Sequence, residues 1–367
     1  MGGCIFLSLT KKYGKLTSFL GEALVVFGIL RGELIYILRR FGIIFSRQRI
    51  YLVIGSIILA GIGTIMNFCY LAKNRILHSI GGIFLWIFCI LTVATLILIV
   101  EQFLHPNIKL PGTVVIVLII LITIGGFIKD KKLITTHLIL KSPKLKTDYT
   151  IVFVSDLHVD LLHSQRYVRK LINKILLESP DLVLIGGDLI NIPHERYINY
   201  FAEFQKIKVP IYAVIGNHDI YFGPDTNIIE KIFQKGNIHP LRNSSTQRKD
   251  LQLVGIDDKE LRGKKKLSTI IEQCNIPDNG KYTIFLTHRP IRLSKLAATP
   301  IDLELAGHTH KGQVRGLHFL SRIVNDYTYG KYSRKDKIAF VSQGTGTRTP
   351  FRIGTEGEIV VLHLEGK

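Results

Sequence analysis

The sequence predicts a layered α/β domain at residues 149–367, preceded by an α-helical membrane region at residues 1–128. Three observations carry this. Hydrophobic residues make up 47% of the 367 positions, yet the chain also carries 48 Lys and Arg, so the apolar residues must be concentrated somewhere. Three long uncharged apolar runs follow one another in the first 128 residues. After a lysine-rich polar stretch at 129–148, short apolar runs alternate with amphipathic ones to the end of the chain.

The apolar runs Tyr51–Tyr70, Ile80–Val100 and Gly112–Ile128 contain no charged residue, and about 20 apolar residues span a bilayer core. Each reads as a transmembrane helix. Residues 16–45 are apolar but interrupted by Glu22, Arg31, Glu33, Arg39 and Arg40, and read as interfacial helices, with a fourth span as the alternative. Orientation follows from flanking basic residues, and here the two sides tie. Arg39, Arg40, Arg47, Arg49 and Lys109 face Lys73, Arg75, Lys129, Lys131 and Lys132. The side of the membrane on which the domain lies is therefore not set.

A net charge of +20 points to a negatively charged partner without naming it. Four cysteines, Cys4, Cys69, Cys89 and Cys274, form neither a disulfide framework nor a CxxC zinc pattern.

Extended runs are expected at 150–155, 182–186, 211–215, 251–255, 283–287, 302–305, 338–342 and 358–362. Helical patterns at 164–178, 196–206 and 226–234 lie between the first four. Ligands in such sheets bind beyond the strand C-termini, and the polar residues cluster there. The first run ends in Asp156-Leu157-His158, the second in Gly187-Asp188, and the third in Gly216-Asn217-His218-Asp219. The run at 283–287 ends in His288, and the one at 302–305 leads to Gly307-His308-Thr309-His310. Any one of these alone would be an ordinary turn or cap residue. Together they offer two carboxylates, an amide oxygen and four imidazoles, a mixed O/N set suited to a pair of first-row transition metals.

In that order, D-x-H, G-D, G-N-H-D, H and G-H-T-H resemble the motifs of calcineurin-like metallophosphoesterases across essentially all of residues 149–367. The wider stretches GHTHKGQV, VSQGTGT and GIDD are similar to the branch of transmembrane proteins with a C-terminal metallophosphoesterase domain. The resemblance implies a four-layer αββα sandwich and two divalent metal ions of the Mn, Fe or Zn type. It implies Asp156, His158 and His310 on one metal, Asn217, His288 and His308 on the other, and Asp188 between them. A shared carboxylate of this kind sets two cations about 3.5–4 Å apart. His218 would protonate the leaving oxygen, with Asp219 orienting or charging its ring.

Three departures from the family pattern stand out. Asp160 occupies a position that is often Gly, Lys311 follows the G-H-T-H motif where Gly is more common, and Leu189-Ile190-Asn191 replaces the phosphoprotein-phosphatase continuation of G-D. The remaining histidines (His78, His105, His137, His163, His194, His239, His318 and His363) read as surface or packing residues; the basic clusters Arg262–Lys266, Arg289 with Arg292, and Arg315 with Arg348 and Arg352 are expected to form a phosphate-attracting rim, with charged solvated loops as the alternative.

The expected protein is thus an integral membrane di-metal hydrolase of a phosphoester or pyrophosphate bond in a phosphorylated lipid or lipid-linked substrate. Turnover of soluble nucleotides is the alternative, and a scaffold without turnover a third reading. Membrane lipids are the expected partners; nucleic acid is not, because no basic-aromatic binding module accompanies the charge. Nothing in the sequence sets the oligomeric state.

Overall fold

The computed structural model describes residues 112–366 except 221–226, 264–265, 278, 314, 316–324 and 349. The expected spans at 51–70 and 80–100 and the interfacial helices at 16–45 lie outside the described residues.

The domain is built on two six-stranded sheets. The first runs in the order β1-β12-β2-β3-β4-β5, with β1 Leu133–Ser142, β2 Tyr149–Val154, β3 Leu182–Ile185, β4 Ile211–Ala213, β5 His239–Pro240 and β12 Gly357–Gly366. The second runs β10-β11-β9-β8-β7-β6, with β6 Ser244–Arg248, β7 Leu251–Gly255, β8 Tyr282–Leu286, β9 Leu303–Ala306, β10 Gly330–Arg334 and β11 Lys337–Val341. Strands β2 to β5 are parallel in one sheet and β7, β8, β9 and β11 in the other, with antiparallel neighbours completing each.

Alternation along the strands explains the layering, because successive side chains point to opposite faces. In β2, Ile151 and Phe153 join Leu182, Leu184, Leu253, Ile284, Leu286, Leu303 and Leu305 in the core between the sheets. Val152 and Val154 turn the other way, onto the helical layer. That layer contains α2 (Gln165–Leu177), the short α3 (Glu195–Ile198) with the 3-10 helix that continues it, and α4 (Asn227–Gly236). In α2 the buried residues Tyr167, Val168, Leu171, Ile172 and Ile175 recur at helical spacing and form one stripe. Across the molecule, Val254, Phe285 and Ala339 face a second layer that includes Ile270 and Ile271 of α6 (Leu267–Gln273). The order of layers is helix, sheet, sheet, helix.

Two stretches differ from expectation. Residues 129–148, expected as a linker, contain β1, which pairs with β12 in parallel over ten positions from Leu133↔Gly357 to Ser142↔Gly366. Its residues Thr, His and Lys disguised it, since one face of this edge strand remains in solvent. The expected third span at 112–128 falls in α1 (Gly112–Lys131). Among the described residues no helix is long and apolar enough to cross a membrane, so that span is not supported. The physical reason lies at its C-terminal end, because the compact unit of the domain begins at Gly125. Gly126 lies against the Phe351 ring, its carbonyl accepts from the Arg352 amide at 3.1 Å, and Asp130 is buried. The α1 residues before Gly125 lie outside that unit. Val117, Ile120, Leu121 and Ile124 in that portion are about half exposed.

A chain beginning at Tyr149 should be less stable than one beginning at Gly125, because it exposes the β12 edge and removes Leu133, Leu140 and Leu145, each at most 7% exposed. Losing these three leucines costs about 4.5–9 kcal/mol, a fall of roughly 9–36 °C in melting temperature for a domain of this size. Calorimetry on the two chains would measure it; equal melting temperatures would mean that β1 contributes nothing.

Candidate metal centre

Parallel strands bring five loops to one edge of the sandwich. Asp156 and His158 follow β2, Asp188 follows β3, Asn217, His218 and Asp219 follow β4, His288 follows β8, and His308 and His310 follow β9. Backbone bonds tie these loops together. The Asp156 and His158 amides donate to the Gly187 and Asp188 carbonyls at 3.0 Å each, and the Gly307 amide donates to the His288 carbonyl at 3.0 Å.

All nine residues singled out in the sequence come to this edge; His218 meets His158 and Asp188 with ligand atoms within 4.8 Å of one another, and seven of the nine form two groups. In the first, ligand atoms of Asp156, His158 and His310 lie within 4.8 Å of one another. His158 Nε2 and His310 Nε2 face each other at 3.3 Å, and lie 3.9 and 3.7 Å from Asp156 Oδ1. In the second, Asp188, His288 and His308 meet the same limit. His288 Nε2 is 3.2 Å from Asp188 Oδ2, 3.2 Å from His308 Nδ1 and 3.1 Å from Asn217 Oδ1. Asp188 Oδ2 also lies 3.6 Å from His158 Nε2, so a single oxygen stands between the groups.

The donor set fits divalent metal. Each group directs several lone pairs at one point with few hydrogens to share, which is unfavourable without a cation. The 3.1–3.3 Å separations within the second group and between His158 and His310 match the spacing of roughly 3.0–3.4 Å that follows from metal–ligand distances of about 2.0–2.1 Å, while Asp156 Oδ1 lies wider, 3.7–3.9 Å from its two histidines. The Gly186 carbonyl accepts from His288 Nδ1 at 2.9 Å, which orients the ring so that Nε2 faces the group. Burial holds His158 well below the usual imidazole range, lowers His310 to about 4, and, with the neighbouring His288 and Arg289 charges, lowers His308 to about 2. These rings are neutral and available as ligands. Burial opposes the charge on His288 as well, but the Asp188 carboxylate raises it to about 10, and the same pairing overcomes burial to hold Asp188 low.

Backbone strain marks the same residues. Asp156, His158, Asp188, His308 and His310 all have positive φ, between 47° and 69°, a region that costs a non-glycine residue roughly 1 kcal/mol or more. Such conformations persist where the surroundings over-determine them. Glycines supply the room: a Cβ on Gly307 would strike Ser155 and Asp156, and one on Gly216 would strike Asp188.

His218 stands edge-on to His158, with ring centroids 4.8 Å apart, and its Nδ1 is 3.3 Å from the Asn191 carbonyl. The Asp219 carboxylate accepts from the amides of Leu189 (2.8 Å), Ile190 (3.2 Å) and Gly216 (2.9 Å), so it braces the β3 and β4 loops. Burial and then the Asp188 charge push Asp219 up to about 8, against those amide bonds.

Several supporting residues lie outside the ligand motifs. Ser155 Oγ donates to Asp156 Oδ2 at 2.6 Å. Asp258 accepts from Arg289 at 2.6 Å. His163, read as surface or packing, is fully buried between Asp130 (3.0 Å) and Asp160 (3.7 Å). Asp160 accepts from the Leu162 and His163 amides at 2.7 Å each and from Asn191 at 2.6 Å, which makes it a turn-capping residue. Only an acidic residue three positions before a histidine signalled this, and that pattern is common in turns.

Comparison with known proteins agrees with the geometry. Residues 149–312 match the family of calcineurin-like phosphoesterases. An uncharacterized metallophosphoesterase of Campylobacter jejuni is 31% identical over 231 residues, 61% of each chain. Another from Helicobacter pylori is 28% identical over 60% of this chain and 61% of its own. A transmembrane protein with metallophosphoesterase domain from Bos taurus is 28% identical over 61% of this chain and 54% of its own. The chain carries a calcineurin-like metallophosphoesterase domain. Its match spans about three-fifths of the length of the two bacterial relatives.

Gly216→Ala should weaken Mn²⁺ binding about 10- to 100-fold, the usual cost of disturbing a group that positions a ligand. Gly125→Ala, whose Cβ would meet nothing within 4 Å, should leave binding unchanged. Titration of Mn²⁺ against each variant, with circular dichroism to verify folding, decides whether room at Gly216 matters to the site.

Proposed function

We propose that the protein is a membrane-attached hydrolase that uses two divalent ions to cleave a phosphoester or pyrophosphate bond in a phosphorylated lipid or lipid-linked substrate. The observation that carries the reading is Asp188 Oδ2, 3.6 Å from His158 and 3.2 Å from His288, as a carboxylate shared by two cations would be. Asp156, His158 and His310 would hold one ion, Asn217, His288 and His308 the other, and Asp188 both. When bound, the pair supplies Lewis-acid polarisation of the phosphoryl oxygens and activation of water.

His218 is the candidate for moving a proton. With Nδ1–H donated to the Asn191 carbonyl, Nε2 would be the atom that gives a proton to the leaving oxygen. Asp219, through its three amide contacts, holds the turn on which His218 stands.

The lipid part of the reading rests on the apolar runs of the sequence, the half-exposed Val117, Ile120, Leu121 and Ile124 of α1, and the kinship with a protein named for its transmembrane character. Membrane lipids are the proposed partners and nucleic acid is not among them.

The test is to load the full chain with Mn²⁺, Zn²⁺ or Fe²⁺ in turn, count metal equivalents, and assay phosphorylated lipids against soluble esters bearing the same headgroup. Two equivalents and a lipid preference are expected. Turnover of soluble nucleotides with no lipid preference would move the substrate to the soluble class, and saturation at one equivalent would remove the bridging role of Asp188.

His218→Ala should keep both equivalents and lower kcat by about 100- to 10,000-fold on a poor leaving group. On a nitrophenyl ester, whose leaving group needs no proton, the loss should be much smaller. Equal losses on both substrates would take the acid role away from His218.

A further inference from the structure

Arg289 follows His288 directly in the chain, and its guanidinium is contacted from two sides. Asp258, 1% exposed at the start of α5 (Asp258–Leu261), accepts from Nε at 2.6 Å, and its own amide donates to the Ile215 carbonyl at 3.1 Å. The terminal nitrogens point the other way. Nη1 is 2.6 Å from His308 Nε2, and Nη2 donates to Asn217 Oδ1 at 3.1 Å. Both acceptors belong to the second ligand group. The Arg289 side chain is 31% exposed whereas His288 is fully buried, so the guanidinium stands where that group meets solvent.

Counting hydrogens shows that this arrangement must change when a cation binds. A neutral imidazole has one N–H and one lone pair. While His308 Nε2 accepts from Arg289, the hydrogen is on Nδ1, the atom that converges on His288 Nε2. A cation held by Nδ1 needs the lone pair there, which moves the hydrogen to Nε2, opposite a guanidinium N–H. Two donors then face each other with no acceptor between them. If Nε2 were the ligand atom instead, Nη1 would already occupy its lone pair. Either way Nη1 must leave His308, while the Nε contact with Asp258 is undisturbed. Asn217 Oδ1 has two lone pairs and does not force Nη2 away.

We propose that Arg289 is the phosphate-binding residue of the site: its guanidinium, anchored by Asp258 beside His308 and Asn217, turns from His308 when that ligand group holds a cation and pairs with unesterified oxygens of the substrate phosphoryl group. The proposal rests on the functional reading above. A guanidinium suits this task because two of its N–H groups match two oxygens of one phosphoryl group, which an ammonium cannot do in a fixed plane. Asp258 serves as a positioning residue, since it fixes the plane from the side away from the ligand group. Arg289 also gains a second effect, because it competes with metal for His308 and so sets the metal concentration at which the second position fills.

The test uses the full chain and inorganic phosphate as the probe, with calorimetry for phosphate affinity and elemental analysis for metal. In Mn²⁺-saturated protein, Arg289→Ala should weaken phosphate binding about 10- to 100-fold, the range for losing a charge-assisted pair of hydrogen bonds. Metal equivalents at saturation should stay at the wild-type number, and at sub-saturating Mn²⁺ should equal or exceed them. Arg289→Lys keeps a charge beside Asp258 and should still lose at least about fivefold in phosphate affinity; it answers the question if the alanine variant does not fold. Phosphate affinity within twofold of wild type in either folded variant overturns the proposal. So does a fall in metal content that accounts for the whole loss, because Arg289 would then only support the ligands. If metal-loaded wild type neither binds phosphate nor hydrolyses any phosphoester, the functional reading falls and this proposal with it.

Discussion

The Asp188 carboxylate is 1% exposed and lies between His158 and His288. A buried anion is tolerable only where positive charge and hydrogen bonds answer it, and most of the surrounding structure serves that need. The His218 amide donates to Asp188 Oδ1 at 2.8 Å, His288 approaches Oδ2, and Gly216 stays small so that the carboxylate has room. The parallel strands then follow as a requirement. Only strands that run the same way can deliver the ends of β2, β3 and β4 from one sheet, and β8 and β9 from the other, to one edge without long excursions. A fold of antiparallel hairpins would send alternate ends to opposite sides.

The ligand-bearing loops were legible in the sequence for that reason. A strand buried on both faces is a short continuous apolar run, so LVLI at β3 and YTIFL at β8 announce themselves, and the first polar residues beyond such a run must lie at its C-terminal edge. The expected runs at 182–186, 251–255 and 283–287 fall within a residue of β3, β7 and β8. The edge strands were not legible. In β1, β6 and β10 one face meets solvent, and residues such as Thr136, His137, Gln247 and Lys331 break the apolar signal. The supports of the site were hidden for a different reason. Asp130 meets His163 from 33 positions away and Thr347 from 217, and no local pattern encodes a pairing of that separation.

Those distant pairings make the end of α1 part of the wall of the metal centre. Asp130, fully buried, accepts from His163 and from Thr347 at 3.0 and 2.6 Å and lies 3.9 Å from the Arg352 Nε. Arg352 is fully buried too, and donates to the carbonyls of Gln343, Gly344 and Gly346. The Gly346 amide in turn donates to the Asp156 carbonyl at 2.7 Å, and Gly344 packs against both Asp156 and His310. The first ligand group is thus backed by a loop whose carbonyls are held by an arginine that is neutralised from the helix. Burial opposes the Asp130 charge, but His163 and Lys131 hold the carboxylate low. Removing Asp130 would leave His163 and Arg352 as buried cations with less to answer them, and that is the costly direction in which to break a buried charge group.

The two ligand groups are consequently supported by different means, and this bears on how the site tolerates change. The first group is backed by a buried network that reaches α1, with His158 fully buried and His310 open by 15% at its side chain. The second is backed by the Gly186 carbonyl behind His288 and faces the half-open Arg289. A network whose members are all buried has one low-energy arrangement, because any displaced polar group would be left without a partner. A guanidinium at the solvent boundary has several, since water can replace what it leaves. Rigidity therefore belongs to the side of Asp156, and adaptability to the side of Asn217 and His308. The proposed phosphoryl substrate, which would have to enter and leave, is better met by the second side, and Arg289 stands there.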